Sequence, residues 1–548
     1  MSRKLLFSLA IVATIINGCS DETTVFQDDL QEDVVVENNE AKLEGSISYN
    51  KSGVLDIFEE EALSNKLYRT SKDRPAGDFP LTLVAQVNSP TYQGRDNLTA
   101  SHVYVEGNYA YVSYNTAGED YFGALDIINI SNPFSPRLTS RLFYLNADIN
   151  AIYYENGYVY AVGGVDAETS VTATSNSFVA KLSAVNGRFD LGSGIKYGFQ
   201  QGYNANDVFI EQGKVHVTSG KEGSLTVYNQ TDLSIENELP FADLRSLSYN
   251  NGNIAVLDAG KGVSVLGPNY EIMKEIPIGT DLGNSTKRII DFSGDRIIVS
   301  EAAKGAGVYS YSSGSLLEYI PILINPDGVD QADVVTNAVA ANDGILLMAN
   351  GGAGLCLSEE GDISATPVGV IELEGSINYV ASKGDYIFAA SGLEGLQIIK
   401  LNRPSASLET ACENTPRYSG SANLNISQGQ QAAYSGSKRF NNFTVSGELL
   451  LCGSWTVRQT VTIKNNASLA ISGTMVIARN NRRRNLVVNQ DAKLTIEGDV
   501  TIYGDLVLDN GSTLEFLGTD SKINIFGRVI RNGNVTITGE FEDIRNKF

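Results

Sequence analysis

The sequence predicts an all-β protein: a seven-bladed β-propeller followed by a right-handed parallel β-helix-like domain. Three observations predict it. Residues 102–138, HVYVEGNYAYVSYNTAGEDYFGALDIINISNPFSPRL, read as four short alternating strands joined by turn residues, and four strands at this length make a propeller blade. The strand–Gly–strand hairpin that opens this unit occurs seven times, at Gly107, Gly157, Gly213, Gly252, Gly294, Gly344 and Gly384. From Pro404 the grammar changes to Asn or Asp, a small residue, then an alternating strand ending in Gly, as in NNASLAISG, NQDAKLTIEG and DNGSTLEFLG. Such elements stack as rungs that bury their inward residues on one another, although a β-sandwich would also satisfy the pattern.

At 548 residues the chain exceeds one ordinary core, and 42% apolar residues are enough to fold it throughout. A net charge of −23 leaves no basic surplus to displace counterions, which argues against a nucleic-acid partner.

In chain order, Arg3 and Lys4 precede an apolar run from Leu5 to Ile16, then Asn17-Gly18-Cys19. A short apolar run behind basic residues is an export signal, too brief to cross a bilayer as a stable helix. The small residue before Cys19 resembles a bacterial lipoprotein lipobox, with Asn17 an unusual second position. That resemblance implies removal of residues 1–18 and lipidation of Cys19, palmitate included, each buried CH₂ adding about 0.8 kcal/mol of membrane affinity. Ser20-Asp21-Glu22 is similar to the surface-export signal of Bacteroidota lipoproteins, which implies an outer-membrane address on the cell surface. Residues 19–79 are expected to form an acidic tether, since nine acids face one base, Lys42, between Ser20 and Asn50. Within it VLDIFEEEALSNKLY, from Val54, suits a short helix.

Residues 80–404 are assigned to the propeller. Asn156-Gly157, Asn251-Gly252 and Asp343-Gly344 are strong two-residue hairpin turns, because both positions need positive φ. Glycine-rich stretches such as SGKEGSL and EAAKGAGV lack a following helix and a Lys-Ser/Thr pair, so they read as inter-strand turns and not as phosphate cradles. GALDIINISNPFSP and EGLQIIKLNRP resemble the LVIVD-repeat family of bacterial extracellular proteins, with Asn129 in place of the usual Asp and Ser-Asn-Pro intact only at Ser131 to Pro133. The resemblance covers about residues 81–404 and implies a propeller. An open ring would leave two sheet edges bare, so Leu81 to Val87, which has no blade of its own, is expected to pair with Leu396 to Leu401 in the last blade. Six or eight blades would also fit the degenerate central repeats. Residues 405–548 are assigned to the β-helix-like domain.

Candidate chemistry is sparse. Cys412 and Cys452 stand 40 positions apart in a compartment that permits oxidation, and a bridge would stabilise the start of the last domain by about 3–4 kcal/mol. Cys356 reads as a buried, inert thiol. No metal-ligand spacing is present, and neither metal nor cofactor is expected. His102 and His216 sit in blade strands and read as packing residues. Arg482 to Arg484 form the one basic run and read as a solvated loop. Polar residues precede each innermost strand: Asp96 and Asn97, Asp148 and Asn150, Asn204, Asn206 and Asp207, Asp243 and Arg245, Lys287 and Arg288, Asn337, and Asn378. In a propeller these converge on one mouth of the channel, the default ligand face, although loops entering strands are polar in any case.

The expected function is a surface-exposed outer-membrane lipoprotein, non-enzymatic, that serves as a binding or scaffolding platform for a glycan or an outer-membrane protein complex. The competing reading is an extracellular polysaccharide-active enzyme, which would need two carboxylates about 5–10 Å apart in one pocket at the mouth.

Overall fold

A computed structural model describes residues 34–55, 57–58 and 81–548, apart from 117, 119, 171–172, 284, 286, 323–328, 343, 361–363, 372, 402–407 and 519. Cys19, the export signal and most of the stretch suited to a short helix lie outside these residues.

Seven antiparallel sheets of at least four strands follow one another in sequence. Their innermost strands are Leu98–Glu106, Ala147–Glu155, Ala205–Glu211, Leu244–Asn250, Ile290–Ser293, Val334–Asn342 and Tyr379–Lys383, numbered here as blades 1 to 7. Each touches the next, and the seventh touches the first, so the blades close a ring. A central strand of a blade lies between two neighbouring sheets and is buried on both faces: in Gly123–Asn129 every residue but the last is buried, the one carboxylate among them, Asp126, being paired with Arg141 at 2.7 Å. The hairpins adopt two forms. Asn156-Gly157, Gln212-Gly213 and Asn251-Gly252 have positive φ at both positions, whereas Gly107, Gly294 and Gly384 occupy the first position of their turns alone.

Ring closure follows the expectation. Leu81–Val87 pairs antiparallel with Leu396–Leu401, from Leu81 opposite Leu401 to Val87 opposite Leu396, and all seven of its residues are buried. The acidic tether needs correction over residues 34–58. Val34–Glu37 adds a fifth strand to blade 1, Ile47–Ser48 and Gly53–Val54 extend blade 7, and Ile57–Phe58 extends blade 6. Val54 and Ile57–Phe58 are thus strand where a helix was expected. The acids on this stretch did not prevent folding because the β-branched Val34–Val36 run meets an unpaired strand edge, and each outer edge of a propeller offers a ladder of free N–H and C=O groups. Side chains then fasten it: Ser140 Oγ donates to Asn38 Oδ1 at 2.6 Å, and Asn38 Nδ2 donates to the Phe189 carbonyl at 3.1 Å.

Residues 423–538 form a parallel β-solenoid of about six turns. One sheet runs from Asn423–Ile426 through Phe443, Val461, Leu486 and Leu506 to Val529–Asn532; the other stacks the long strands Gln431–Phe440, Glu448–Val457, Ser468–Ile477 and Lys493–Ile502. Every pairing in both sheets is parallel, which removes the sandwich alternative. Inward residues including Phe440, Trp455, Met475 and Ile502 fill the interior. Gly436, Gly453, Gly473 and Gly498 stand directly over one another with φ between +107° and +124°, bending each long strand where a side chain has no room: a Cβ on Gly473 would lie 2.3 Å from the Gly453 carbonyl oxygen. Cys412 and Cys452 form a disulfide that ties the incoming segment to the second long strand.

The solenoid packs on the propeller around the loop after Asn129. Phe134, buried in that loop, lies 5.6 Å beneath the Lys400 ammonium, and Lys400 makes an ion pair with the buried Asp499 of the solenoid. Asn524 donates to the Phe134 carbonyl at 3.5 Å, Asn132 to Glu542 at 3.4 Å, and Ile544 packs into the blade 7–blade 1 cluster. The N-terminal segment takes part through Tyr49, which contacts Phe526 at 5.1 Å between ring centroids and accepts from Tyr503 at 3.4 Å.

Candidate functional site

The polar residues at the start of the innermost strands were expected to face a ligand. Six of the thirteen reach across to the next blade. In blades 1 to 4 the first pairing of the innermost strand carries a one-residue bulge, which leaves Ser101, Asn150, Asn206 and Arg245 out of register. A bulged residue is turned out of the normal side-chain alternation. Ser101 Oγ donates to the Ile149 carbonyl at 2.8 Å, Asn150 Nδ2 to Ala205 at 2.9 Å and Asn206 Nδ2 to Leu244 at 2.7 Å. Arg245 reaches the Ser285 and Gly283 carbonyls at 2.9 and 3.1 Å, and Arg288 donates to Asn337 Oδ1 at 2.9 Å. Asn337 Nδ2 donates to Ile377 at 3.0 Å, and Asn378 Nδ2 to Ala100 at 2.7 Å, which returns the ring to blade 1. Seven side chains therefore staple each blade to its successor around the whole circumference. In every blade the staple stands five residues before the last residue of its strand.

The remaining mouth residues divide. Asp207 is buried and accepts from the backbone N–H groups of Val208 at 2.8 Å and Leu247 at 3.0 Å; loss of hydration raises its carboxyl to about 7 despite them. Asp148 accepts from the Thr116 N–H and hydroxyl, both at 3.0 Å, with burial raising its pKa above the usual range. Asp243 is held by Arg245 at 2.7 Å; burial raises its pKa, Arg245 opposing. Asp96 and Asn97 are exposed and stand outside the ring, so the blade 1 position belongs to Ser101, which the sequence reading passed over. Asn204 is half-buried beside Gly220. Lys287 is half-buried as well, and loss of hydration lowers its ammonium to about 8, Asp333 opposing and Arg288 adding to the shift.

The mouth is thus lined by amides and mixed charges, with Asp148 and Asp207 tied to backbone donors and Asp243 to arginine. The histidines do not meet. His102 is on the innermost strand of blade 1, its ring 3.9 Å from that of Tyr379, while His216 is in blade 3 and bonds Tyr270 at 3.0 Å. Burial lowers them to about 3 and about 4, so both are neutral at pH 7. Cys356 is buried and its thiol is pushed up to about 12, that of an inert group. Among the described residues no three His, Cys, Asp or Glu side chains gather as a metal site, and no helix is long and apolar enough to cross a membrane.

The LVIVD repeat family matches residues 99–142. That span is blade 1 up to Leu142, and the repeat assignment stands there. Similar solved structures include the RRP9 WD40 repeats (TM-score 0.44, 13% identity, covering 60% of this chain and 100% of that one). The WD40 β-propeller domain of Doa1 has a TM-score of 0.41 at 12% identity, covering 59% and 97%. The Neurospora crassa Pan2 WD40 domain has 0.42 at 12%, covering 59% and 95%. No curated protein matches the chain.

Proposed function

We propose that the chain is a non-catalytic, lipid-anchored protein of the outer membrane, facing outward, in which propeller and solenoid form one rigid platform for a glycan or an outer-membrane protein complex. The observation that carries this reading is the commitment of the mouth. A general acid and base need carboxylates free to exchange protons with substrate, whereas Asp148, Asp207 and Asp243 each hold a loop, a strand or an arginine in place. The buried Lys400–Asp499 pair and the Phe134 contacts support rigidity, since such a junction holds the two modules at a fixed angle. The lipobox resemblance around Cys19 supports the anchor.

The test is purification of the lipidated protein from its own membrane, beside a Cys19→Ser form, with identification of what is recovered. Co-purification of a stoichiometric protein or glycan with the wild type, and release of the Cys19→Ser form from the membrane fraction, are expected. Recovery of the protein alone, together with turnover of a glycan by the purified chain, would reverse the reading in favour of an enzyme.

A further inference from the structure

We propose that a cleft at one corner of the solenoid binds an acidic oligosaccharide, its carboxylate or sulfate groups held by arginines and its hydroxyls by neighbouring amides. This deepens the platform reading and rests on it for the choice of a glycan.

The cleft has a volume of about 650 Å³ and is lined by Arg458, Arg479, Arg482 and Arg484 with side-chain amides that include Asn441 and Gln459. Its origin is a local irregularity. Arg458, Ala478 and Tyr503 occupy one corner in successive turns, each donating its backbone N–H to the last residue of the long strand one turn earlier. Four positions separate Val457 from Val461 and Ile502 from Leu506, the two sheets' matching points before and after. Nine separate Ile477 from Leu486 at the same corner. The turn between them therefore carries five extra residues, and in a solenoid such an insertion projects as a loop on one face, often the face that binds. Here the loop turns tightly on Arg479 and Arg482 and brings its arginines over Arg458 of the preceding turn. The basic run that read as a solvated loop is thus one wall of a cavity.

Charge makes the arrangement unusual. The chain has 64 acids against 41 bases, yet no carboxylate lines this cleft. Among the described residues none forms an ion pair with Arg458, Arg479, Arg482 or Arg484. The Arg479 guanidinium is held below its usual range, first by burial and then by Arg439, Arg458 and Arg482, with Glu374 of the propeller opposing. Crowded like charges of this kind are relieved by a bound anion. The arginines are also oriented: Arg458 Nη1 donates to Asn441 Oδ1 at 3.0 Å and Arg484 Nε to Gln459 Oε1 at 2.9 Å. Each fork keeps further N–H groups for a planar carboxylate or a sulfate. Amides supply both donors and acceptors, which suits the hydroxyls of a sugar and gives a bare inorganic anion little. A volume within the range of small-molecule sites suits a short saccharide. The chain's net charge of −23 disfavours a nucleic acid.

The experiment uses the mature full chain in titration calorimetry with three hexasaccharides: a uronic-acid hexamer, a sulfated hexamer and a neutral hexamer, with a single-stranded oligonucleotide as a fourth probe. Binding of at least one acidic hexamer, and of neither the neutral hexamer nor the oligonucleotide, is expected, and the two acidic arms decide between carboxylate and sulfate. Arg458→Gln and Arg482→Gln, both at exposed positions, should each weaken that affinity about tenfold without altering the melting temperature. Failure of both acidic hexamers, equal binding of the neutral hexamer or the oligonucleotide, or variants within twofold of the wild type would overturn the assignment. If the acidic hexamers fail while the native membrane still yields a stoichiometric partner, this site falls and the platform reading stands.

Discussion

Replacing Asn378 by Ala separates a stapled mouth from a ligand-binding one. Asn378 is 3% exposed, and its amide donates at 2.7 Å to the Ala100 carbonyl across the blade 7–blade 1 junction, where the ring closes. Removing the amide takes a donor from a buried carbonyl, which costs about 1–3 kcal/mol, and leaves a small void besides. For a propeller of this size a loss of about 2 kcal/mol corresponds to a fall in melting temperature of roughly 3 °C. Asn97→Ala provides the control: Asn97 is exposed and outside the ring, so its removal should stay within about 0.5 kcal/mol of the wild type. The assay is thermal unfolding of the mature protein by circular dichroism, with capture of its membrane partner measured on the same variants at 25 °C. Stapling predicts that Asn378→Ala melts lower and still captures the partner. Unchanged melting with lost capture would refute it and return Asn378 to a ligand surface.

Two further outcomes follow from buried groups. Burial holds Asp207 at about 7, above the ordinary value of about 3.9 in an unfolded chain, so between those pH values the folded protein keeps a proton that the unfolded chain has released. The contribution of Asp207 to stability is therefore greatest below about pH 4 and falls as pH rises to about 7. Melting temperatures of the wild type and Asp207→Asn measured from pH 5 to pH 8 should shift progressively in favour of the variant, and parallel curves would contradict the assignment. Gly473→Ala should destabilise the solenoid by about 3 kcal/mol or more, because φ is +116° there and the new methyl would meet the Gly453 carbonyl oxygen at 2.3 Å. Urea unfolding followed by fluorescence of Trp455, the sole tryptophan and a solenoid core residue, reads it out; an unshifted midpoint would argue against the glycine ladder.

Much of the architecture was legible because it is written in local turn chemistry. A two-residue hairpin with positive φ needs Gly, Asn or a near equivalent, and seven such hairpins counted the blades even where Ser-Asn-Pro had decayed. The closing strand was legible from a different constraint, the cost of a bare sheet edge, which required some segment to pair with Leu396–Leu401. The same constraint applied to Val34–Glu37 would have placed it on the rim. Net acidity hid this, because charge counting weighs a stretch as a whole whereas a strand forms on three or four residues, here Val34 to Val36. The extra turn residues at the solenoid corner were visible as spacing, but only alignment of Val457, Ile477 and Ile502 in the stacked sheet shows that they belong to one edge.

The staple ring was half legible, and the reason bears on how a propeller mouth should be read. Polarity before an innermost strand has three physical sources, a ligand outside the ring, an unpaired backbone N–H as at Asp148 and Asp207, or an unpaired carbonyl on the next blade, and composition does not distinguish them. Spacing does. A ligand contact can sit anywhere along a loop, whereas a staple must meet a carbonyl fixed by the neighbouring sheet, and so keeps a constant distance from the hairpin. Counting back five residues from the end of each first strand gives Ser101, Asn150, Asn206, Arg245, Arg288, Asn337 and Asn378, all able to donate, while Asp96, Asn97, Asp148 and Lys287 fall off that register. By the same argument Lys287, off register and with its ammonium lowered by burial next to a committed Arg288, is a mouth residue whose side chain closure of the ring does not require.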